Sequence, residues 1–262
     1  MTAVPRWAVR AVDVVNRKGK SAGVRLVRYT GKSPHCIHPK HLVDTPWHDW
    51  YVEHLEPGDV VLDVGCANGA HTLAAAARCR RIYGLDYDPR QLAVARRTAA
   101  ARGLANVHLF AWDVTGRFPF PDASFDAALF LDVIEHLQPR IAVLREIRRV
   151  LRPDGTLLVS GPNRDTSSRR RLRAAGLFAY SDPDHKIEYT REEFVAELAA
   201  GGFVPAGPVM PVVYDTPWAG LIDALGGVSL GLYARLARWK REAALRQPQE
   251  STGFQVVARP AR

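Results

Sequence analysis

Apolar positions in the middle of the chain alternate between short continuous runs and longer stretches with helical spacing. The runs predict strands because they are apolar on both faces: 59–64, 81–86, 107–112, 125–131 and 156–161. The intervening spans predict helices at 70–78, 89–102, 139–151 and 191–200. Strands of this kind need cover on both sides, so the pattern predicts an α/β fold with a doubly wound, mostly parallel sheet.

The flanking segments complete the predicted architecture. Two late apolar runs, 203–213 and 253–259, close the sheet and bring it to seven strands. An apolar stripe predicts a helix over 5–16, the polar 17–20 reads as a loose link, and 23–29 fits either a helix or a strand. We therefore predict a helical N-terminal extension or lid (1–55) and a main domain (56–262) with a helical insertion, 214–249, as a substrate lid.

Three aromatic residues lie in a predicted short helix over 46–55. Trp47, Trp50 and Tyr51 fall on one side of it together with Leu55. Such a face either packs onto the main domain or forms an aromatic wall over a ligand pocket, and the spacing does not choose between them.

The charge is basic but unevenly distributed. There are 36 Lys and Arg against 27 Asp and Glu, a formal net charge of +9, and the excess lies in 1–55, 164–173 and 235–246. Because these segments are peripheral and no RNA-binding module is recognisable, the charge favours solvated faces over nucleic-acid binding. The basic amphipathic stretch 218–246 favours a lid or oligomer helix, with membrane-surface contact as the alternative.

Cysteine use and the N-terminal segment predict a cytoplasmic protein. The three cysteines form no C-x-x-C pair, and the first residues lack the pattern of a signal peptide. A run with Cys36 and three histidines (His35, His38, His41) suggests metal binding only weakly. Prolines interrupt that run and it contains no carboxylate. No metal site is predicted.

The turn after the first predicted strand carries the first chemical signal. The segment reads VVLDVGCANG over 60–69, a buried run that ends in a small-residue turn, and Asp86 follows Gly65 by 21 residues at the end of the next strand. An acid there can accept hydrogen bonds from both hydroxyls of a ribose, which indicates a ligand containing a nucleoside. The spacing G-x-G-x-x-G is absent, which argues against a dinucleotide.

Further strand ends make a family resemblance plain. The motifs VLDVGCANG (61–69), GLDYDP (84–89), AWDV (111–114), FDAALFLDVIEHL (125–137) and VLRPDGTLLVSGPN (150–163) occur in order. In these the chain resembles the class I S-adenosylmethionine-dependent methyltransferases, in the type 11 subgroup that includes ubiquinone and menaquinone biosynthesis methyltransferases. The resemblance implies a Rossmann-like methyltransferase fold and S-adenosyl-L-methionine as cofactor.

The resemblance also implies roles for single residues. Asp86 would bind the ribose hydroxyls with Tyr87 beside the adenine, and Leu131 would lie near the sulfonium. The methionine end would meet the first turn, and the adenine edge the end of the third strand; the residues are Asp63, Gly65, Cys66 and Gly69, then Asp113 and Val114. Ala67 departs from the family, which commonly has glycine there, and its methyl group narrows the approach to the methionine portion.

The implied reaction is displacement of a methyl group from a sulfonium, in which alignment and exclusion of water matter most. A hydroxyl acceptor also benefits from a general base, for which His136 is the first candidate and His185 the second; each could instead only tie a loop to the backbone. Thr190 and Glu193 fit a helix capping box, and Asp154-Gly155 fits a turn.

The sequence thus predicts methyl transfer to a small molecule, at a hydroxyl of a sugar, quinone or lipid-linked metabolite. An RNA methyltransferase and a non-catalytic cofactor-binding protein are the alternatives. The acceptor atom and the oligomeric state are not indicated.

Overall fold

The computed structural model describes residues 5–33, 38–43, 45 and 47–261, without the side chain of His41. His35 and Cys36 of the weak metal pattern lie outside these residues. The chain forms two compact units. The helical unit comprises Met1–His48, Asn163–Pro183 and Pro211–Gly253; the sheet unit comprises Asp49–Pro162, Asp184–Met210 and Phe254–Arg262.

One eight-stranded sheet dominates the fold and confirms the predicted class. The strands are β1 (Val60–Val64), β2 (Arg81–Asp86), β3 (Val107–Ala111), β4 (Phe125–Leu131), β5 (Leu151–Pro162), β6 (Phe203–Pro205), β7 (Met210–Pro211) and β8 (Gly253–Pro260). Their order is β3-β2-β1-β4-β5-β8-β6, and β7 pairs with β8. The strands from β3 to β5 in this order pair in parallel, whereas β6 and β8 are antiparallel. The order reverses at β1, which is where such sheets bind ligands.

Eight α-helices are described. The sheet unit contains α2 (Ala70–Ala75), α3 (Pro89–Ala101), α4 (Arg140–Val150) and α6 (Arg191–Ala200); the helical unit contains α1 (Arg6–Tyr29), α5 (Ser167–Ala174), α7 (Ala219–Val228) and α8 (Leu230–Arg246). Local signals set the starts of two of them. Asp88 caps α3 by accepting the Arg90 N–H, and Thr190 with Glu193 forms the predicted capping box of α6.

Core residues cover both faces of the sheet, as the two-sided apolar runs require. Leu62 belongs to the cluster that includes α4 and α6, whereas its neighbour Val61 belongs to the cluster that includes Tyr51. Neighbouring strand residues point to opposite faces, so each strand contributes to two cores. A fully buried side chain of this size stabilises the fold by about 1.5–3 kcal/mol, which explains why the central strands were predictable from pattern alone.

Several predicted elements were wrong in extent; among them, α2 ends at Ala75 rather than at residue 78. Helix α1 runs unbroken through Arg17–Lys20 and includes 23–29. Strand β5 begins at Leu151, and the predicted turn at Asp154-Gly155 lies inside it as an irregularity, because Phe125 pairs with Leu151 but Ala127 pairs with Thr156. The run 203–213 splits into β6 and β7.

Helices α1 and α7 of the helical unit pack backbone against backbone. A Cβ atom on Gly19 would collide with the backbone of Gly220, and one on Gly23 would collide with the carbonyl of Asp223. Glycine is required there because any side chain would separate the helices. No helix among the described residues is long and apolar enough to cross a membrane.

Candidate active site

A glycine turn at the carboxyl end of β1 is the centre of the candidate site. Gly65 and Gly69 both have φ of 79°, in the left-handed region that favours glycine. The N–H groups of Gly65 and Cys66 both donate to the carbonyl of Leu85 on β2, at 2.8 and 3.0 Å. A Cβ on Gly65 would lie 2.7 Å from a methyl carbon of Val133, so this turn admits no larger residue without movement.

Asp86 at the end of β2 is joined to the same turn. Its carboxylate accepts the Ala67 N–H at 2.9 Å and the Asp88 N–H at 2.8 Å, and its side chain is buried. These two bonds orient the carboxylate and leave it lone pairs for the hydroxyls of a ribose. The structure therefore places Asp86 and the glycine turn together, as the 21-residue spacing predicted.

Asp63, the last but one residue of β1, lies fully buried below the turn. Burial raises the pKa of Asp63 to about 7, although Thr72 Oγ1 donates to its Oδ2 at 2.6 Å, which works in the opposite direction. The nearby Asp86 raises the pKa further. A cationic group bound here would favour the ionised form, so the site suits a positively charged ligand.

This burial gives a pH-dependent stability. The folded-state pKa of Asp63 lies above the unfolded value of 3.8. The protonated carboxyl therefore contributes folding stability that is fully present below pH 3.8 and is lost as the pH rises through about 7. We expect Asp63→Asn, measured against the wild-type protein without cofactor, to gain on the order of 2–3 kcal/mol in relative unfolding free energy between pH 5 and pH 8. Urea denaturation at the two pH values is the measurement, and a difference between the variant and the wild type that stays constant with pH would contradict the burial argument.

Ala67 occupies a strained position in the turn, with φ of 44°. An L-residue in the left-handed region costs about 1–2 kcal/mol, whereas glycine costs about 0.4–1 kcal/mol more in chain entropy on folding. The family's usual glycine would therefore fit this backbone better than alanine does.

Ala67→Gly is expected to raise the unfolding free energy by up to about 1 kcal/mol. Ala93→Gly, inside helix α3, is the matched control and is expected to lower it by about 1 kcal/mol. Denaturation curves of both variants compare the same chemical change in two backbone conformations. Equal destabilisation by both would show that the strain is not energetically significant.

The remaining predicted cofactor residues lie at neighbouring strand ends. Tyr87 is 79% exposed beside Asp86, so its ring is available to a ligand. Asp113 follows β3 and accepts the N–H and Oγ1 hydrogen of Thr115; these bonds lower its pKa. Val114 and Leu131 are buried, at the ends of β3 and β4 respectively.

Cys66 contributes backbone rather than a thiol to this edge. A Cβ on Gly84 of β2 would lie 2.8 Å from its Sγ, so the sulfur points into the sheet. Burial raises the pKa of this thiol, which makes it a poor nucleophile. Any contact of Cys66 with a cofactor is therefore through its main chain.

His136 and His185, the two candidate general bases, lie next to each other. His136 ends a single 3₁₀ turn (Ile134–His136) after β4, and the two ring centroids are 4.7 Å apart at 77°. The N–H of Lys186 donates to the carbonyl of Glu135 at 2.7 Å, which ties the loop of His185 to that turn. His136 is exposed and His185 is largely covered.

Two acidic residues that were not predicted from the sequence belong to this cluster. Glu135 Oε1 lies 3.9 Å from His185 Nε2, and Glu188 Oε1 lies 2.8 Å from His185 Nδ1. Both carboxylates are buried. The sequence held a weak signal for each, since Glu135 adjoins His136 and Glu188 follows His185 by three residues, but only the fold joins the two segments.

The aromatic face of the predicted short helix is a packing feature for Tyr51. This residue is buried against Val61 and Ile82, and its hydroxyl lies 3.1 Å from His71 Nδ1. Trp47 instead packs with Ile222 and Tyr233 of the helical unit. The segment forms a 3₁₀ turn, Trp50–His54, and Pro46 lies outside the described residues. His38 also has a structural role, because its Nε2 lies 3.2 Å from Asp223 Oδ2.

The strand order, the glycine turn and the strand-end acids together define a class I methyltransferase fold, with the candidate site at the switch point of the sheet. The comparisons agree. Residues 62–159 match the family described as "Methyltransferase domain". A "Probable S-adenosylmethionine-dependent methyltransferase" of Mycolicibacterium smegmatis is 34% identical over 183 residues, 63% of this chain and 69% of that protein. The chain therefore belongs to the S-adenosylmethionine-dependent methyltransferases, is an enzyme of that family and uses S-adenosyl-L-methionine.

Two further relatives show how far the likeness extends. A "27-O-demethylrifamycin SV methyltransferase" of Amycolatopsis mediterranei is 32% identical over 182 residues, covering 66% of this chain and 65% of that protein. The crystal structure of a protein named "[4+2]-Cyclase SpnF" aligns over 81% of each chain, with a TM-score of 0.59 and 24% identity, and shows the fold alone. The chain thus spans about two thirds of the length of these two curated relatives.

The site suits the cofactor of the family. S-Adenosylmethionine carries an ammonium and a sulfonium, and the turn offers the two buried acids Asp63 and Asp86 at adjacent strand ends. The exposed Tyr87 ring adds a surface for a base. Charge, hydrogen-bond acceptors and an aromatic face are all present in the order that the resemblance implies.

Proposed function

We propose that this enzyme methylates a hydroxyl group of a small molecule, with His136 and His185 as the residues that activate the acceptor. The observation that carries the proposal is the histidine pair at the exit of β4, the strand next to β1. Parallel strands place their carboxyl ends at one edge of the sheet, so the pair and the cofactor turn share that edge.

The residues of the chain divide the work in this proposal. The bound cofactor supplies an electrophilic methyl group. Asp86 holds the ribose and Asp63 faces the charged methionine end, so the methyl group has a fixed direction, and the buried Leu131 excludes water. His136, which is exposed, meets the acceptor and removes its proton, while His185 is oriented by Glu188.

The substrate class is supported by the relatives. The name of the Amycolatopsis protein describes methylation of an O-demethylated small molecule, and 66% of this chain aligns with it. A hydroxyl of a sugar, quinone or lipid-linked metabolite is therefore the acceptor class that we propose. The family match covers residues 62–159, which include the predicted cofactor residues but neither flanking segment, so it supports the reaction better than the acceptor.

The two alternatives of the sequence analysis remain as outcomes of the test. An RNA methyltransferase would explain the basic segments, and a methyltransferase-like fold can also bind its cofactor without catalysis. Neither has a feature of the site in its favour that hydroxyl methylation lacks.

Transfer of a labelled methyl group tests the proposal directly. The enzyme is incubated with methyl-labelled S-adenosylmethionine and either a metabolite extract or total RNA, with Asp86→Ala as the inactive control. Label in a small molecule that hydriodic acid releases as methyl iodide, as it does from methyl ethers, supports O-methylation. Label in RNA, or cofactor binding without any transfer, would overturn it.

Three other predictions from the sequence are also proposals here: the lid, the cytoplasmic location and the membrane-surface contact. Residues 1–55 and 214–249 are proposed as a lid, and cytoplasmic location is proposed from the unpaired, buried thiols of Cys66 and Cys79.

Membrane-surface contact through 218–246 is supported by an exposed apolar stripe on α7, which consists of Trp218, Leu221, Leu225 and Val228. Co-sedimentation with anionic vesicles is the test of this contact.

A further inference from the structure

Three side chains at the exit of β4 have the chemistry and spacing of a metal site. In the described part of the chain, Glu135, His136 and His185 each offer one ligand atom, and these atoms lie within 4.8 Å of one another. The Glu135 Oε1 to His185 Nε2 distance is 3.9 Å. With metal–ligand bonds of about 2.1 Å, neighbouring ligand atoms lie roughly 3.0–3.5 Å apart, so side-chain shifts of about 1 Å would close the set.

Glu188 provides a second and independent sign of a metal site. Its Oε1 lies 2.8 Å from His185 Nδ1. An ionised carboxylate only accepts, so this contact occupies Nδ1 as a donor, and Nε2 is the ring nitrogen that faces Glu135. A carboxylate behind a histidine in this way fixes the tautomer and the ring direction in most histidine metal sites.

The backbone also holds the ligands in place. The 3₁₀ turn that carries Glu135 and His136 follows Asp132, whose φ is 54°, and Ser160 Oγ binds both the N–H and the carboxylate of that residue. Lys186 and Ile187 donate their N–H groups to the carbonyl of Glu135. These bonds hold the segments of His136 and His185, which are 49 residues apart in sequence, against each other. Metal ligands need such rigid placement.

We infer that Glu135, His136 and His185 bind a divalent first-row transition-metal ion. Two imidazoles and one carboxylate suit Zn²⁺, Mn²⁺, Fe²⁺ or Co²⁺ better than Mg²⁺, which prefers oxygen ligands. Three protein ligands leave coordination positions open, as in catalytic rather than structural sites. His136 is exposed, so the open side faces solvent or an acceptor. No metal site is predictable here from the sequence alone, because the ligands come from two distant segments.

The inference rests on the proposed function and deepens it. An acceptor hydroxyl bound to the ion would lose its proton to water more readily, because a metal lowers the pKa of a bound oxygen. The alkoxide oxygen then forms a bond to the methyl carbon as the C–S bond breaks, and sulfur keeps the electron pair. One proton is released to solvent and the sulfonium becomes a neutral thioether. Both histidines would then still activate the acceptor, as ligands of the ion, and proton release to water would replace the proton removal by His136.

Metal binding is measured without cofactor or acceptor, so that it does not depend on activity. The full chain, free of any histidine tag and treated with chelator, is titrated with Co²⁺ and followed by visible absorption. We expect one Co²⁺ per chain, displaced by one equivalent of Zn²⁺ and unaffected by millimolar Mg²⁺. Glu135→Gln and His185→Ala should each lose the band, and Glu188→Gln should weaken binding about 10–100-fold. His54→Ala, an exposed histidine outside the cluster, should bind as the wild type does.

Each outcome decides the inference. No saturable band, or a band unchanged in both Glu135→Gln and His185→Ala, overturns it. Calorimetric affinity for S-adenosylmethionine shows that each variant is folded, and Glu188→Gln provides a milder test if a ligand variant is not. Methyl transfer after removal of metal is measured separately. Methyl transfer without Co²⁺ binding would contradict the metal site but support the proposed function. Co²⁺ binding without any methyl transfer would support the metal site but contradict the proposed function.

Discussion

Replacing Asp86 by alanine is expected to raise the dissociation constant for S-adenosylmethionine at least about 100-fold. Each hydrogen bond to a charged group is worth about 1.5–3 kcal/mol, and the ribose would lose two of them. The substitution also frees the N–H groups of Ala67 and Asp88, so the glycine turn loses one of the bonds that join it to β2. Isothermal titration calorimetry measures the change.

The chain offers two matched comparisons for this prediction. Asp86→Asn keeps one acceptor oxygen and should bind with intermediate affinity. Asp88→Ala removes the cap of α3 two residues away, which costs about 1 kcal/mol of stability but no cofactor contact. If Asp86→Ala bound the cofactor as tightly as Asp88→Ala does, the assignment of the ribose site would fail.

Loss of the His136 side chain is expected to reduce turnover by about 10²–10⁴-fold with little change in cofactor affinity. The reduction follows whether the imidazole takes the proton of the acceptor or holds an ion that acidifies it. Single-turnover rates with the acceptor found by methyl labelling, together with calorimetry, separate the two parameters. His185→Ala should behave similarly, because the two rings are in contact.

A purely structural role for His136 predicts a different pattern. Thermal stability and cofactor affinity would then fall together, and turnover would be restored at low temperature. His54→Ala controls for the loss of an imidazole elsewhere in the sheet unit. Unchanged single-turnover rates in His136→Ala would remove the residue from the chemistry altogether.

The central strands and the cofactor turn could be predicted because their signals are local. Strand β2 was predicted to its exact residues, and β4 likewise, since continuous apolar runs bounded by polar residues allow few alternatives. Asp86 follows Gly65 at a spacing that one strand–helix–strand unit imposes. For residues within one such unit, the sequence spacing by itself determines that they lie close together at the sheet edge.

Features that depend on packing between distant segments were not predictable in this way. The polar stretch Arg17–Lys20 contains a glycine and favours a break, yet α1 continues because Gly19 packs against the backbone of Gly220. Tertiary contact overrides local propensity there. Glu135 and Glu188 likewise gain their meaning only from the position of His185, and the irregular part of β5 only from its register with β4.

The glycine contact between α1 and α7 also determines where this protein can vary. Main-chain atoms are the same in every sequence, so a helix contact made from them carries no side-chain specificity. It also tolerates no residue larger than glycine. Mutational drift is therefore blocked at Gly19, Gly23 and Gly220 but open on the outward surfaces of the same helices. Descendants of this chain can diversify those surfaces over evolutionary time while the pair of helices keeps its geometry.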